Sequence, residues 1–302
     1  MFPEGMHDLL SQKQLFDSYL KHQAGVQSSA FSFVNIFAWA DFFRFEFKII
    51  GGCLCVFAHQ DIGCFQYLPP LGKDVTAEVI DECFRYMKDI NRGSGLSRVE
   101  HVPQEMRALF DVKLYRSEAR APEYVYDRRE IENMKGLALA SQRWLWNHFT
   151  KHHVYTFEPY CADDLQECRD LYERWAQNRL VRHTDETYQE MMRENRVVHR
   201  RVLEAFRDLD VIVRVVKING QIAGYTAGYP VSQNTFCDLF EITDLSFKGL
   251  PTAMFRRLCA DADVARYDFI NAMDDFGLPD VQRTKMSFKP RFLLPSYTVS
   301  LR

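Results

Sequence analysis

The dipeptide Asn219-Gly220 stands between two apolar runs, Val211–Ile218 and Gln221–Tyr229. A two-residue hairpin loop needs positive φ at both central positions, and Asn followed by Gly is the pair that tolerates this best. The two runs therefore form an antiparallel pair, and a mixed sheet has to be built outward from it. Upstream lie a strand at Val154–Phe157 and a helix with Leu165, Cys168, Leu171 and Trp175 on one face. Asp163, three residues before Gln166, resembles the start of a capping box. A longer helix follows over Glu186–Arg207. Downstream come a strand at Thr235–Ile242, a helix at Thr252–Ala265 and a strand at Tyr267–Asn271. A short helix near Val281 and a last strand at Tyr297–Leu301 close the order.

The first half carries similar signals in looser form. Phe45 to Ile49 alternates, Gly51-Gly52 permits a tight turn, and Cys53–Ala58 returns. Cys64–Leu68 reads as a strand that stops at Pro69-Pro70. Ile80, Cys83, Phe84, Met87 and Ile90 recur at helical spacing, which predicts an amphipathic helix over Val79–Ile90. A short helix at Met106–Phe110 and strands at Val112–Tyr115 and Tyr124–Tyr126 complete this half. Residues 129–152 contain no Pro and one Gly, and read as a single linking helix. The expected organisation is a domain over 1–128, a linker helix over 129–152 and a second domain over 153–302. A chain of 302 residues suffices for two such cores.

The formal net charge is −3, so no broad basic footprint for nucleic acid exists in the totals. The most apolar stretch, Phe31–Phe43, is interrupted by Ser32, Asn35 and Asp41 and is too short to span a bilayer. The start, MFPEGMHDLLSQKQ, lacks the order of a secretory signal. The eight cysteines include no CxxC pair and read as reduced thiols, so a cytoplasmic protein is expected. No GxSxG, P-loop or GxGxxG is present. His148 and His152 stand at i and i+4 without an intervening HExxH glutamate, and Cys53-x-Cys55 has no matching pair nearby, so no metal site is expected.

The order β-α-α-β-β-β-α-β-α-β, with a hairpin in its middle, resembles a GNAT acyltransferase domain. The expected fold class is α/β with mixed α+β sheets, as two tandem GNAT-like domains. Longer motifs carry a more specific likeness: SFVNIFAW and YLPPLG, YVYDRREIENMKG, FCDLFEITD, and the closing FINAMDDFGLPDVQRTKMSFKPRF. Their order resembles the family of the phosphatidylglycerol lysyltransferase C-terminal domain, long catalogued as a domain of unknown function and related to the Fem aminoacyl transferases. The resemblance implies transfer of an aminoacyl group from aminoacyl-tRNA onto an amine or hydroxyl, with tRNA as a partner and a lipid, peptide or small-molecule acceptor. In its linking region the family usually carries a basic run; here, in KGLALASQRWLWNHF, Lys135, Arg143 and Asn147 keep the expected polar character, while Leu137, Ala138, Gln142 and Trp144 replace cationic or polar residues. Each missing phosphate contact weakens binding to nucleic acid.

Acyl transfer needs a base, a donor held close and a stabilised oxyanion. The GNAT plan puts the donor between the fourth and fifth strands. Glu241 and Asp244 end the fourth, while Asn271, Asp274 and Asp275 follow the fifth. Glu241, Asp244 and Asp275 are the candidate proton acceptors or ammonium binders; solvated loop carboxylates are the alternative. Asn271, Lys285, Lys135, Arg143 and Gly249 are the candidate donor- or substrate-binding groups. Between the two strands the loop DLSFKGLPTAMF offers one glycine, Gly249, followed by Pro251, which has no N–H. That is a poor cradle for a pyrophosphate, so acetyl-CoA is disfavoured as a cofactor. Two other readings stay open: a non-catalytic binding protein, and a CoA-dependent N-acetyltransferase. The basic positions Arg196, Arg200 and Arg207, beside His199 and Arg201, suit either a solvated helix face or an RNA backbone.

Overall fold

The computed structural model describes residues 4–23, 25–181 and 185–302. In chain order its elements begin with helices α1 (Glu4–Ser11), α2 (Lys13–Leu20) and α3 (Phe33–Ala38), then strands β1 (Arg44–Ile50), β2 (Cys53–Gln60) and β3 (Gly63–Gln66). Helix α4 (Ala77–Asn91) and strands β4 (Arg98–Pro103), β5 (Tyr115–Ala119) and β6 (Glu123–Asp127) follow. Next are α5 (Arg128–Asn133), α6 (Ala140–His152), β7 (Tyr155–Pro159), α7 (Leu165–Leu180) and α8 (Glu186–Glu204). The hairpin strands are β8 (Ile212–Ile218) and β9 (Gln221–Pro230), succeeded by β10 (Thr235–Thr243), α9 (Leu250–Cys259) and β11 (Phe269–Asn271). Helix α10 (Pro279–Ser287) and strands β12 (Phe292–Leu294) and β13 (Ser296–Leu301) end the chain.

Two compact units result, one of Met1–Glu123 with Leu294–Arg302 and one of Tyr124–Leu293. The first holds a six-stranded sheet ordered β1-β2-β3-β4-β13-β5. Its core lies beneath α4, where Val79, Ile80, Cys83, Phe84 and Met87 meet Cys55, Phe57 and Val99. Ile80, Cys83, Phe84 and Met87 are helical-spacing residues of the sequence pattern and face inward for that reason, whereas the last member of that pattern, Ile90, is exposed near the end of the helix.

The second unit is built on a seven-stranded sheet, β12-β6-β11-β10-β9-β8-β7. The β8–β9 turn is the one its residues dictate: Ile218 pairs with Gln221, and Asn219 and Gly220 adopt φ of 52° and 79°. Helix α8 starts at Asp185, whose carboxylate accepts from the Tyr188 N–H at 2.8 Å. The carboxylate that serves the turn before α7 is Asp164, which accepts from the Cys161 N–H at 2.9 Å.

The strand expected at Val112–Tyr115 runs over Tyr115–Ala119 instead, after a turn at 112–114, and two larger features also depart from the sequence reading. Residues 129–152 form two helices, α5 and α6, because Met134 and Gly136 take left-handed conformations (φ 49° and 78°) that end the first helix. The last strand, which the element order gives to the second half, pairs instead in the first sheet. β13 lies antiparallel to both β4 and β5, and its Val299 is fully buried in the core under α4. Strands β4 and β5 are not neighbours, so only an inserted strand can satisfy the backbone edges between them.

Candidate functional site

Strand β10 pairs in parallel with β11 over Thr235–Cys237, opposite Phe269–Asn271. Beyond Cys237 it keeps its antiparallel ladder to β9 alone, so the two strands part at this point. The ladder to β9 slips between Asp238, opposite Gly228, and Phe240, opposite Ala227. Leu239 is the additional residue of a β-bulge. In a regular strand residues three apart point to opposite faces; one inserted residue restores Asp238 and Glu241 to the same face and sends Phe240 to the other. Phe240 accordingly stacks on His199 of α8, with ring centroids 3.8 Å apart.

Both carboxyl groups are poor places for charge. Asp238 is buried and accepts one hydrogen bond, from Thr226 Oγ1 at 3.1 Å. Burial pushes it up to about 7, against the opposing pull of Thr226 and Lys285. Glu241 is partly exposed as a residue, yet its Oε1 is sealed from solvent with no hydrogen-bond partner. Burial first, and then the charge of Asp238, hold Glu241 well above the usual carboxylate range, with Lys285 opposing. A buried acceptor left unmatched costs about 1–3 kcal/mol.

Lys285 projects from α10 into the loop that follows β11. Its Nζ donates to the carbonyl oxygens of Ala272, Met273 and Asp274, the last at 2.5 Å. Burial lowers its pKa, while Asp274, Asp238 and Asp275 pull the other way. The loop turns sharply, with Met273 and Phe276 at φ 61° and 53°. Asn271 Oδ1 accepts from the Met273 N–H at 2.8 Å, and Asp275 Oδ1 accepts from the Gly277 N–H at 2.9 Å. Tyr124 on β6 donates to Asp275 Oδ2 at 2.6 Å, and Tyr126 donates to the Lys285 carbonyl at 2.9 Å. Burial, and then the Asp275 hydrogen bond, raise Tyr124 to about 12, so it remains a donor.

The structure thus brings Glu241, Asn271, Asp275 and Lys285 to the end of the parted strands. The other candidates lie elsewhere. Asp244 occupies the turn after β10, where Oδ1 accepts from the Ser246 N–H at 2.9 Å and its hydroxyl at 2.7 Å. Arg143 Nη1 donates to the carbonyls of Met134 and Gly136, at 2.5 and 2.8 Å, which ties down the break between α5 and α6. Lys135 is exposed in that break. Gly249 is the N-cap of α9 at φ 89°, packed against Leu145 and Phe149 of α6. Close by, Thr252 donates to Gln142, and Gln142 donates to Ser287, linking α9, α6 and α10.

Asp238, Tyr124, Tyr126 and Thr226 escaped the sequence reading. Asp238 is the instructive one: regular alternation puts it on the face opposite Glu241, and only the bulge reverses that. His148 and His152 do share a face of α6, with ring centroids 4.4 Å apart. Among the described residues no group of three or more His, Cys, Asp or Glu side chains is arranged to hold a metal. No described helix is long and apolar enough to cross a membrane.

The family described as phosphatidylglycerol lysyltransferase, C-terminal, matches residues 23–300. A conserved protein of unknown function from Bacteroides thetaiotaomicron is similar in structure, with TM-score 0.86 at 20% identity over 97% of each chain. L-PGS from Bacillus licheniformis follows the same fold, with TM-score 0.66 at 18% identity over 95% of this chain and 91% of its own. A tandem GNAT protein from the clavulanic acid biosynthesis pathway is similar at TM-score 0.52 and 10% identity, over 98% of this chain and 95% of its own. No curated protein matches. The two mixed sheets are therefore two tandem GNAT-like domains.

Proposed function

Because the chain belongs to the phosphatidylglycerol lysyltransferase C-terminal family, we propose that it transfers an aminoacyl or acyl group to an amine or hydroxyl acceptor at the open end of β10. One observation carries the reading: Glu241 presents a sealed carboxyl oxygen with no partner, beside a second buried carboxyl group. An acceptor ammonium supplies the missing donor and the missing counter-charge together. Glu241 then takes one proton, the neutral nitrogen attacks the ester carbonyl of the donor, and the ester oxygen departs as a hydroxyl. A carboxylate whose pKa is raised is a stronger base than a solvated one, which suits this step. Lys285 fixes the loop carrying Asn271 and Asp275.

The donor is proposed to be an aminoacyl ester such as aminoacyl-tRNA. Acetyl-CoA is disfavoured for a local reason. The start of α9 has Gly249 packed against α6, and Pro251 gives no N–H, so few backbone donors converge there on a pyrophosphate. Arg143, however, spends its guanidinium on backbone carbonyls of its own segment, which favours a second reading in which the chain binds a ligand without turning it over. Incubation with radiolabelled aminoacyl-tRNAs and amine, lipid or peptide acceptors separates the two. Label transferred by the native chain and lost in Glu241→Gln supports the transferase. Label retained on every tRNA supports the binding protein. Saturable micromolar binding of acetyl-CoA by calorimetry would return the CoA-dependent reading.

A further inference from the structure

The second face of β10 carries a contact that the reaction does not use. His199 lies inside the α7–α8 layer, buried, and burial depresses its pKa to about 3, so the ring is neutral throughout the physiological range. Its plane lies 21° from that of Phe240, with centroids 3.8 Å apart, a stack of neutral rings rather than a cation–π pair. Nδ1 shares a hydrogen bond of 3.0 Å with the Tyr225 hydroxyl, and Tyr172 flanks the ring at 4.9 Å. Next to it is a cavity of about 80 Å³ lined by Tyr172, Arg196, His199 and Tyr225 among others. Close packing therefore does not enclose the imidazole on every side; directed contacts to Tyr225 and Phe240 set its position.

Phe240 is the first residue after the bulge, and Tyr225 is on the strand the bulge slips against. If the bulge were ironed out and Leu239 took its own place in the ladder, β10 would alternate regularly and Glu241 would leave the face that Asp238 occupies. A bulge unpairs part of a ladder and persists only where surrounding contacts favour it. We propose that His199 is a positioning residue: by stacking on Phe240 and bonding Tyr225 it holds β10 in its bulged register, and this keeps Asp238 and Glu241 on one face. The inference deepens the reading of Glu241 given above and rests on it for its functional meaning.

Its test needs no substrate. The carboxyl carbons of Asp and Glu are labelled with ¹³C and titrated by NMR in the full chain, native and variant. The groups that set the Glu241 midpoint include Asp238 on its own strand and Lys285 on α10, and Tyr126 on β6 and Cys259 on α9 sense the same charge. In His199→Ala the Glu241 midpoint falls by about one pH unit or more as the carboxyl pair separates. His199→Phe, which keeps a ring against Phe240, retains the raised midpoints. If His199→Ala does not fold, Phe240→Leu keeps apolar volume without the stack and has the same expected fall. A folded His199→Ala or Phe240→Leu chain with both midpoints unchanged overturns the proposal, as does an equal fall in His199→Phe. Because the readout is titration, a chain inactive toward every aminoacyl-tRNA still decides it.

Discussion

Gly249 approaches Leu145 so closely that a Cβ added to it would collide with the Leu145 carbonyl oxygen and crowd Phe149 at 3.2 Å. Its backbone is also left-handed, at φ 89°. Both conditions reject an L side chain, one by volume and one by torsion. Gly249→Ala is expected to lower stability by about 1–3 kcal/mol from the torsion alone, with the collision adding to it. Denaturant unfolding measures this, and an unchanged midpoint would contradict both the torsional and the steric cost.

Asp238 makes stability depend on pH in an unusual direction. Its folded pKa is raised, to about 7, above the ordinary value near 4 of an unfolded chain. Between those values the folded state holds a proton that the unfolded state has released, so the contribution is complete below about pH 4 and is lost as pH rises through about 7. Asp238→Asn removes the titration while leaving an acceptor for Thr226. The variant should gain on the native chain across this window, by at most about 4 kcal/mol. Unfolding curves at successive pH values test the sign; a difference that does not vary with pH contradicts it.

Lys285 is expected to be hard to replace. In Lys285→Met three carbonyl oxygens lose their shared donor, and the cation that restrains Asp238 and Glu241 disappears. Stability should fall by about 3 kcal/mol or more. In the same variant the two carboxyl midpoints should move further up in a ¹³C titration. Unchanged midpoints would mean that the ammonium and the carboxyl groups do not sense one another.

Glu241→Gln separates chemistry from folding. The amide keeps the shape of the side chain and removes the proton acceptor. Stability should change little at acid pH, where the native side chain is already neutral. Transfer to an amine acceptor should fall about 100-fold or more. Parallel melting curves and single-turnover transfer assays compare the two, and full activity in the folded variant would remove Glu241 from the reaction.

Local chemistry made some of this structure legible and left the rest hidden. Asn219 and Gly220 announce their turn because φ is positive at both, a property of those two residues alone. The inward face of α4 can be read from Val79 to Met87, since a helix repeats every 3.6 residues wherever it sits. Glu241, Asn271 and Asp275 could be picked out because they cluster at strand ends in the chain order, and Lys285 because it stands in the closing motif. Asp238 could not, since its face depends on a bulge, and nothing in Asp-Leu-Phe-Glu announces one. The carbonyl partners of Lys285 carry no side-chain signature at all. Met134 ends α5 in a left-handed conformation that its residue type does not advertise, and Val299 finds its sheet through a pairing with β4 and β5 that no local pattern encodes.

That last pairing sets an order for the making of the protein. Ser300 on β13 bonds Arg116 on β5 across a sequence separation of 184 residues. The second unit is contiguous in the chain, whereas the sheet of the first waits for a strand translated after it. At ordinary rates of translation the interval is about 10–40 s. During that time β4 and β5 emerge with their facing edges unpaired, and such edges recruit other chains. On the ribosome, then, the part of the protein synthesised first is completed last, and its open sheet is where a holding chaperone has something to cover.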